Sequence, residues 1–136
     1  MRRTLKAVIF DDEPSVLTCM RLLLQRRGYE VLAYGEPVNS PLHQCHECPC
    51  TLQGGCPDLI ISDIDMPVVN GVELLESLLK KGCRCHHLAL ISGKGIPESD
   101  LTKVTEHGAL YFTKPLDLTR FYAWLDRVEL TAGSAA

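Results

Sequence analysis

The sequence predicts an α/β fold, a doubly wound five-stranded parallel sheet, and three features of the chain point to it. Short apolar runs alternate with segments of helical periodicity along the 136 residues. The runs are continuously apolar, as in strands buried on both faces of a parallel sheet. Four of them end on polar or charged residues, namely Asp11 and Asp12, Asp63, Ser92 and Lys114. In open α/β sheets ligands bind outside the C-terminal ends of the strands, so that rim is where chemistry is expected.

Leu5 to Phe10 is the first strand and leads into Asp11-Asp12-Glu13. Pro14 suits the first turn of a helix, where its missing N–H is no loss, and Val16, Leu17, Met20, Leu23 and Leu24 recur at helical spacing up to Gly28. Tyr29 to Tyr34 is the second strand. Pro37 and Pro41 follow, then a Cys- and His-rich insertion over about 43–56, so a short irregular helix is the most that segment is expected to hold. The third strand, Leu59 to Ile61 with Asp63 at its C-terminal end, lies in a stretch bounded by Pro57 and Pro67. A helix from about Val72 to Lys81 sets Val72, Leu75, Leu78 and Leu79 on one side and stops at Gly82. Leu88 to Ile91 is the fourth strand, ending at Ser92-Gly93, and Pro97 opens a weaker helix to about Glu106, closed by His107-Gly108. Ala109 to Phe112 is the fifth strand, before Thr113-Lys114-Pro115. From about Leu118 a last helix buries Phe121, Leu125 and Val128, and the end from Gly133 to Ala136 is expected to fray. Crossovers between parallel strands are right-handed, which puts helices on both faces.

With 46% hydrophobic residues the chain can build one core without staples, so a single domain over 1–136 is expected, with no output domain. The net charge of -3 gives no electrostatic footprint for nucleic acid, and no polybasic stretch suggests a membrane surface. Arg2 and Arg3 precede an apolar run as in a signal peptide, yet the run ends at Asp11, too soon for export or a membrane span. A cytoplasmic location is expected.

Asp63 by itself has two readings, a functional carboxylate or a cap for the helix beginning near Gly71. Capping explains poorly why four strand ends bring three carboxylates, a hydroxyl and an ammonium to one rim. The full set is Asp11-Asp12, then Asp63 followed by Met66-Pro67 and Gly71, then Ser92-Gly93, then Lys114-Pro115 with the aromatic Tyr111 just upstream. In order and spacing it resembles the receiver domains of bacterial two-component response regulators, from Val8 to the last helix. The resemblance implies a flavodoxin-like sheet with strand order 2-1-3-4-5. It also implies that Asp63 accepts a phosphoryl group from a histidine kinase or a phosphorelay protein.

Clustered carboxylates raise one another's pKa unless a cation sits among them, and Mg²⁺ takes oxygen ligands from one or two carboxylates plus phosphate. The resemblance assigns Asp12 and Asp63 as direct ligands, Asp11 as a ligand through water, and the backbone carbonyl of Asp65 as a further one. Lys114 is expected to set its ammonium near the phosphoryl oxygens, and Ser92 to give its hydroxyl to another of them. Ser92 and Tyr111 then form the switch. The resemblance implies that the loop after the fourth strand moves in, that Tyr111 turns into the vacated space, and that the surface of the fourth helix, fifth strand and fifth helix changes. The bland alternative for Tyr111 is an edge-strand aromatic that only packs. Such a receiver assists its own phosphorylation and dephosphorylation and is not otherwise an enzyme. Its message leaves by contact with a downstream protein, unless the chain is a piece of a longer regulator, and the same surface would serve a homodimer. Asp65 and Lys94 stand where the family tunes hydrolysis of the acyl phosphate. A salt bridge between them over the site is expected, with two uncoupled solvated charges as the alternative.

Seven cysteines depart from that family's pattern. Cys45, Cys48, Cys50 and Cys56 lead into the third strand, and Cys83 and Cys85 into the fourth, with His43, His46, His86 and His87 among them. Both groups belong to the rim opposite Asp63. Their C-x-x-C and C-x-C spacings suit a closed tetrahedral Zn²⁺ site, with Cys45, Cys48, Cys83 and Cys85 the first choice and Cys50 and Cys56 as alternates. Disulfides, free thiols and an iron–sulfur cluster stay open beside it. Cys19 on the first helix reads as a small core residue.

Two other functions fit parts of the pattern. Asp63-Ile64-Asp65 resembles the D-x-D nucleophile and acid/base pair of haloacid-dehalogenase-type phosphohydrolases, which carry it on their first strand. A phosphorylation-independent metal or redox module would leave the complete acidic set without a purpose.

Overall fold

The computed structural model describes residues 4–35, 57–66, 70–82, 85 and 87–134. Its strands are β1 (Lys6–Phe10), β2 (Glu30–Tyr34), β3 (Leu59–Asp63), β4 (Leu88–Ser92) and β5 (Leu110–Thr113). All pair in parallel, in the order β2-β1-β3-β4-β5. The helices among the described residues are α1 (Pro14–Arg26), α2 (Gly71–Lys80), α3 (Glu98–Glu106) and α4 (Leu118–Ser134). The fold class and strand order are those expected from the sequence. The irregular segment expected between Pro37 and Cys56 lies outside the described residues, so α3 and α4 correspond to the fourth and fifth helices of the sequence reading.

Side chains alternate across a strand, and here each face of the sheet is covered. Val8, Phe10, Ile60 and Leu90 point to one face, beneath Val72, Leu74, Leu75 and Leu78 of α2 and Val104 of α3. Ala7, Ile9, Leu59, Ile61 and Ile91 point to the other, beneath Met20 and Leu24 of α1 and Phe121, Trp124, Leu125 and Val128 of α4. Every residue of β3 and β4 is buried, which is why their sequence runs show no polar alternation. Arg27, in the turn after α1, donates to Asp126 at 2.6 Å and to Glu129 at 2.7 Å, and the Tyr29 hydroxyl donates to Glu129 at 3.2 Å. These bonds fasten the α1–β2 turn to α4. Among the described residues no helix is long and apolar enough to cross a membrane.

Local chemistry sets the ends of the helices that matter for the site. Asn70 caps α2, its Oδ1 accepting from the Glu73 N–H at 2.9 Å, so Asp63 is not the cap. Gly71 then starts the helix directly against the end of β3. A Cβ there would lie 2.6 Å from the Asp63 carbonyl oxygen, so only glycine allows this approach.

Three expectations are corrected. Leu79 is 37% exposed, and Leu74 is buried instead, because the covered stripe of α2 runs through Gly71, Leu74, Leu75 and Leu78 at i, i+3, i+4 and i+7. Cys19 is exposed, since Met20 and Leu24 define the inward stripe of α1. The backbone of α4 stays helical through Gly133 and Ser134, where fraying was expected. By contrast α3 buries Val104 alone, in keeping with its weak sequence pattern.

Leu125 is fully buried under the sheet and Leu130 on the same helix is 73% exposed. Urea denaturation is expected to show Leu125→Ala destabilised by about 2–5 kcal/mol and Leu130→Ala by about 0.5 kcal/mol or less.

Candidate functional site

Strand register brings the rim residues together. Phe10 pairs with Ser62, so Asp11 emerges beside Asp63. Asp63 pairs with Ile91, which leaves Ser92 one residue beyond, and Ser92 pairs with Thr113, which leaves Lys114 one residue further. The Lys114 N–H closes the corner by donating to the Ser92 carbonyl at 2.9 Å.

Carboxylate oxygens of Asp11, Asp12 and Asp63 lie within 4.8 Å of one another. Asp11 and Asp63 are buried, whereas Asp12 faces solvent. Asp11 Oδ1 accepts from the Glu13 N–H at 2.9 Å, the turn that opens α1. Its Oδ2 is buried, with Lys114 Nζ 3.3 Å away as an ion-pair partner. Asp63 Oδ1 accepts from the Asp65 N–H at 3.2 Å, and its Oδ2 accepts from Lys114 Nζ at 3.3 Å. Lys114 also donates to Glu13 Oε1 at 3.0 Å. Glu13 was not singled out from the sequence, although it is the third acid of the Asp11-Asp12-Glu13 run.

Burial, and then the negative charge of Asp11, push the Asp63 carboxyl up to about 6, against the opposing pull of the Asp65 N–H and Lys114. Asp11 is raised too, chiefly by burial. Burial acts to lower Lys114, but its hydrogen bond to Glu13 and the charges of Asp11 and Asp63 outweigh that and hold the ammonium protonated. Repulsion at the rim is thus only partly compensated by one cation.

The donors present fit Mg²⁺. All are oxygens, one buried oxygen of Asp11 has only the shared Lys114 ammonium beside it, and the exposed Asp12 leaves room for the waters that this ion retains. That set is Asp11, Asp12 and Asp63.

Ser92 is fully buried, and its Oγ donates to Asp65 Oδ2 at 2.9 Å, with the Gly95 carbonyl a second acceptor at 3.3 Å. The Lys94 N–H donates to the same hydroxyl at 3.2 Å. The expected Asp65–Lys94 salt bridge is absent among the described residues, because the Asp65 carboxylate turns inward to Ser92 instead. That orientation also separates Asp65 from the acid/base role the hydrolase alternative would give it. Tyr111 packs partly buried against the core under α2 and α3, its hydroxyl buried without a hydrogen-bond partner among the described residues.

Of the two cysteine groups only Cys85 is among the described residues. Cys45, Cys48, Cys50, Cys56 and Cys83 lie outside the described residues, as do His43, His46 and His86. Cys85 is buried ahead of β4, at the rim opposite Asp63, with its thiol 3.5 Å from the His87 carbonyl. Cys19 lines an apolar cavity of about 350 Å³ with Val16, Met20, Leu116 and Lys114.

Residues 7–126 match the family model described as the response regulator receiver domain. The chain belongs to the response regulator receiver domain family. It is 29% identical over 119 residues to the transcriptional regulatory protein KdpE of Mycobacterium tuberculosis, a match covering 87% of this chain and 48% of KdpE. It is 35% identical over 77 residues to the DNA-binding transcriptional activator EvgA of Escherichia coli, covering 57% of this chain and 34% of EvgA. The chain therefore spans about half or less of the length of these curated relatives. The CheY-like receiver domain protein of Methanospirillum hungatei has the same fold, with a TM-score of 0.75 at 20% identity, over 98% of this chain and 100% of that one. The family match leaves the hydrolase and metal-module alternatives without support.

Two outcomes test this geometry. A carboxyl whose folded pKa lies above its unfolded value gives stability that is full below about pH 4 and lost as pH rises through about 6. In metal-free buffer Asp63→Asn is therefore expected to exceed wild type in stability by on the order of 2 kcal/mol at about pH 7.5, with the gap closing toward about pH 4 in urea titrations. Gly71→Ala drives a methyl into the Asp63 backbone; thermal denaturation should show a loss of about 1–3 kcal/mol, and calorimetry a weaker Mg²⁺ affinity.

Proposed function

We propose that Asp63 is the phosphoacceptor and that a histidine kinase or a phosphotransfer protein is the donor. An Asp63 carboxylate oxygen attacks phosphorus, the P–N bond to the donor imidazole breaks, and the imidazole takes up a proton from solvent as it leaves. The observation that carries this reading is the convergence of Asp11, Asp12 and Asp63 within 4.8 Å beside Lys114, from strand ends otherwise distant in sequence.

Asp12 and Asp63, with Asp11 and the backbone carbonyl of Asp65, are the groups that would hold Mg²⁺. When bound, it supplies positive charge for carboxylate and phosphoryl oxygens that would otherwise repel. Lys114 adds a fixed ammonium, already 3.3 Å from Asp63 Oδ2 and able to shift to a phosphoryl oxygen. Ser92 donates to another phosphoryl oxygen. This draws in the loop that hangs on its hydroxyl through Lys94 and Gly95. Tyr111, partly buried against the core, turns further into the space that the loop vacates. The surface of α3, β5 and α4 carries the change to a downstream protein or to a second copy of the chain. The chain acts here as one receiver unit, promoting its own phosphorylation and dephosphorylation without turning over a separate substrate.

The test is transfer of labelled phosphate from acetyl phosphate. Wild type with Mg²⁺ is expected to take up about one equivalent, while Asp63→Asn, or wild type in EDTA, takes up none. Lys114→Ala should lower the rate by about tenfold or more, a loss of about 1.4 kcal/mol of transition-state stabilisation. Label on Asp63→Asn equal to that on wild type would refute the assignment.

A further inference from the structure

We propose that the Asp65 side chain is an internal stand-in for the phosphoryl group, a positioning residue that holds the Ser92 hydroxyl until phosphorylation draws it away. The inference rests on the assignment of Asp63 and Ser92 above and extends it to a side chain with no role in that reading, where Asp65 contributes only a backbone carbonyl.

A serine hydroxyl has one proton to donate. Here that proton faces an anionic oxygen, Asp65 Oδ2 at 2.9 Å, with the neutral Gly95 carbonyl more distant at 3.3 Å. A hydrogen bond to a charged acceptor is the stronger of the two kinds, so Asp65 takes it. Ser92 is fully buried, which leaves no water to compete. The hydroxyl also accepts from the Lys94 N–H at 3.2 Å, so its orientation sets the backbone of the loop leading to α3. Asp65 itself is exposed at the rim, while its own N–H is tied to Asp63 Oδ1 at 3.2 Å. One short turn therefore links the acceptor carboxylate and the group that occupies Ser92.

A phosphoryl group on Asp63 can engage Ser92 only by displacing one anionic acceptor with another. The exposed Asp65 carboxylate is then released to water at little cost. The net drive of the switch is the difference between two hydrogen bonds of similar kind, and Asp65 thereby sets its threshold. Removing the Asp65 carboxylate frees the hydroxyl in advance and makes the engaged state easier to reach.

Calorimetric titration with beryllium fluoride at saturating Mg²⁺ tests this, because that complex stands in for a phosphoryl group on a carboxylate. Mg²⁺ affinity is measured separately for each variant. Asp65→Ala is expected to bind beryllium fluoride roughly tenfold more tightly than wild type, the scale of one hydrogen bond to a charged group. Asp65→Asn keeps an acceptor oxygen without the charge and should fall between the two. In a Ser92→Ala background Asp65→Ala should gain less than about twofold, since no hydroxyl remains to be released. The Lys94 amide resonance in unliganded Asp65→Ala should move toward its liganded position in wild type. An equal gain in the Ser92→Ala background would mean simple relief of charge and overturn the proposal, as would no gain in the wild-type background. Failure of wild type to bind beryllium fluoride, with Asp63→Asn indistinguishable from it, would instead remove the phosphoacceptor reading and this inference with it.

Discussion

Two buried carboxylates that repel each other are the constraint around which this molecule is arranged. Asp11 and Asp63 are each 2% exposed, and both are pushed toward protonation by that burial. A fold gains nothing in stability from such a pair, since desolvating a charge is expensive unless it is fully paired. Lys114 divides one positive charge among Asp11, Glu13 and Asp63, at 3.3, 3.0 and 3.3 Å respectively. What remains unbalanced is excess negative charge on oxygens that could hold a further cation.

The sheet makes this arrangement possible by being rigid on both sides. The strand ends are fixed by parallel pairing, and the interiors of β1, β3 and β4 by packing against helices on both faces. A slip of one residue would turn every apolar side chain to the wrong face, so the register that aligns Asp11, Asp63, Ser92 and Lys114 is enforced by the core beneath it. Gly71 completes the frame by letting α2 begin against the backbone of Asp63 itself. Loop chemistry can then vary at the rim without loosening its foundations.

The strands and the polar residues at their ends were legible because each follows from local pattern, whereas the strand order came from the resemblance to the receiver family. An uninterrupted apolar run names a doubly covered strand, and the first polar residue after it names the rim. Less legible was everything that depends on where a side chain turns. Asp65 was expected to meet Lys94, an opposite charge, but the loop brings its carboxylate to the nearer buried hydroxyl of Ser92. Glu13 was passed over because an acid after two acids looks like more of the same, whereas its reach to Lys114 depends on the turn that starts α1. Leu74 and Leu79 exchanged places because a helix rotated slightly about its axis still satisfies the same periodicity.

The sparse anchoring of α3 has a consequence for how a change at the rim can travel. Val104 is the only fully covered side chain that this helix offers the sheet, whereas α4 sets Phe121, Trp124, Leu125 and Val128 into theirs. Displacing a helix means lifting each seated side chain from its socket, and cores resist that in discrete steps. On the role proposed for Ser92, a tug through one serine is matched to a load of one valine. The last helix, on the other face of the sheet, has four such side chains seated and resists the same displacement more strongly.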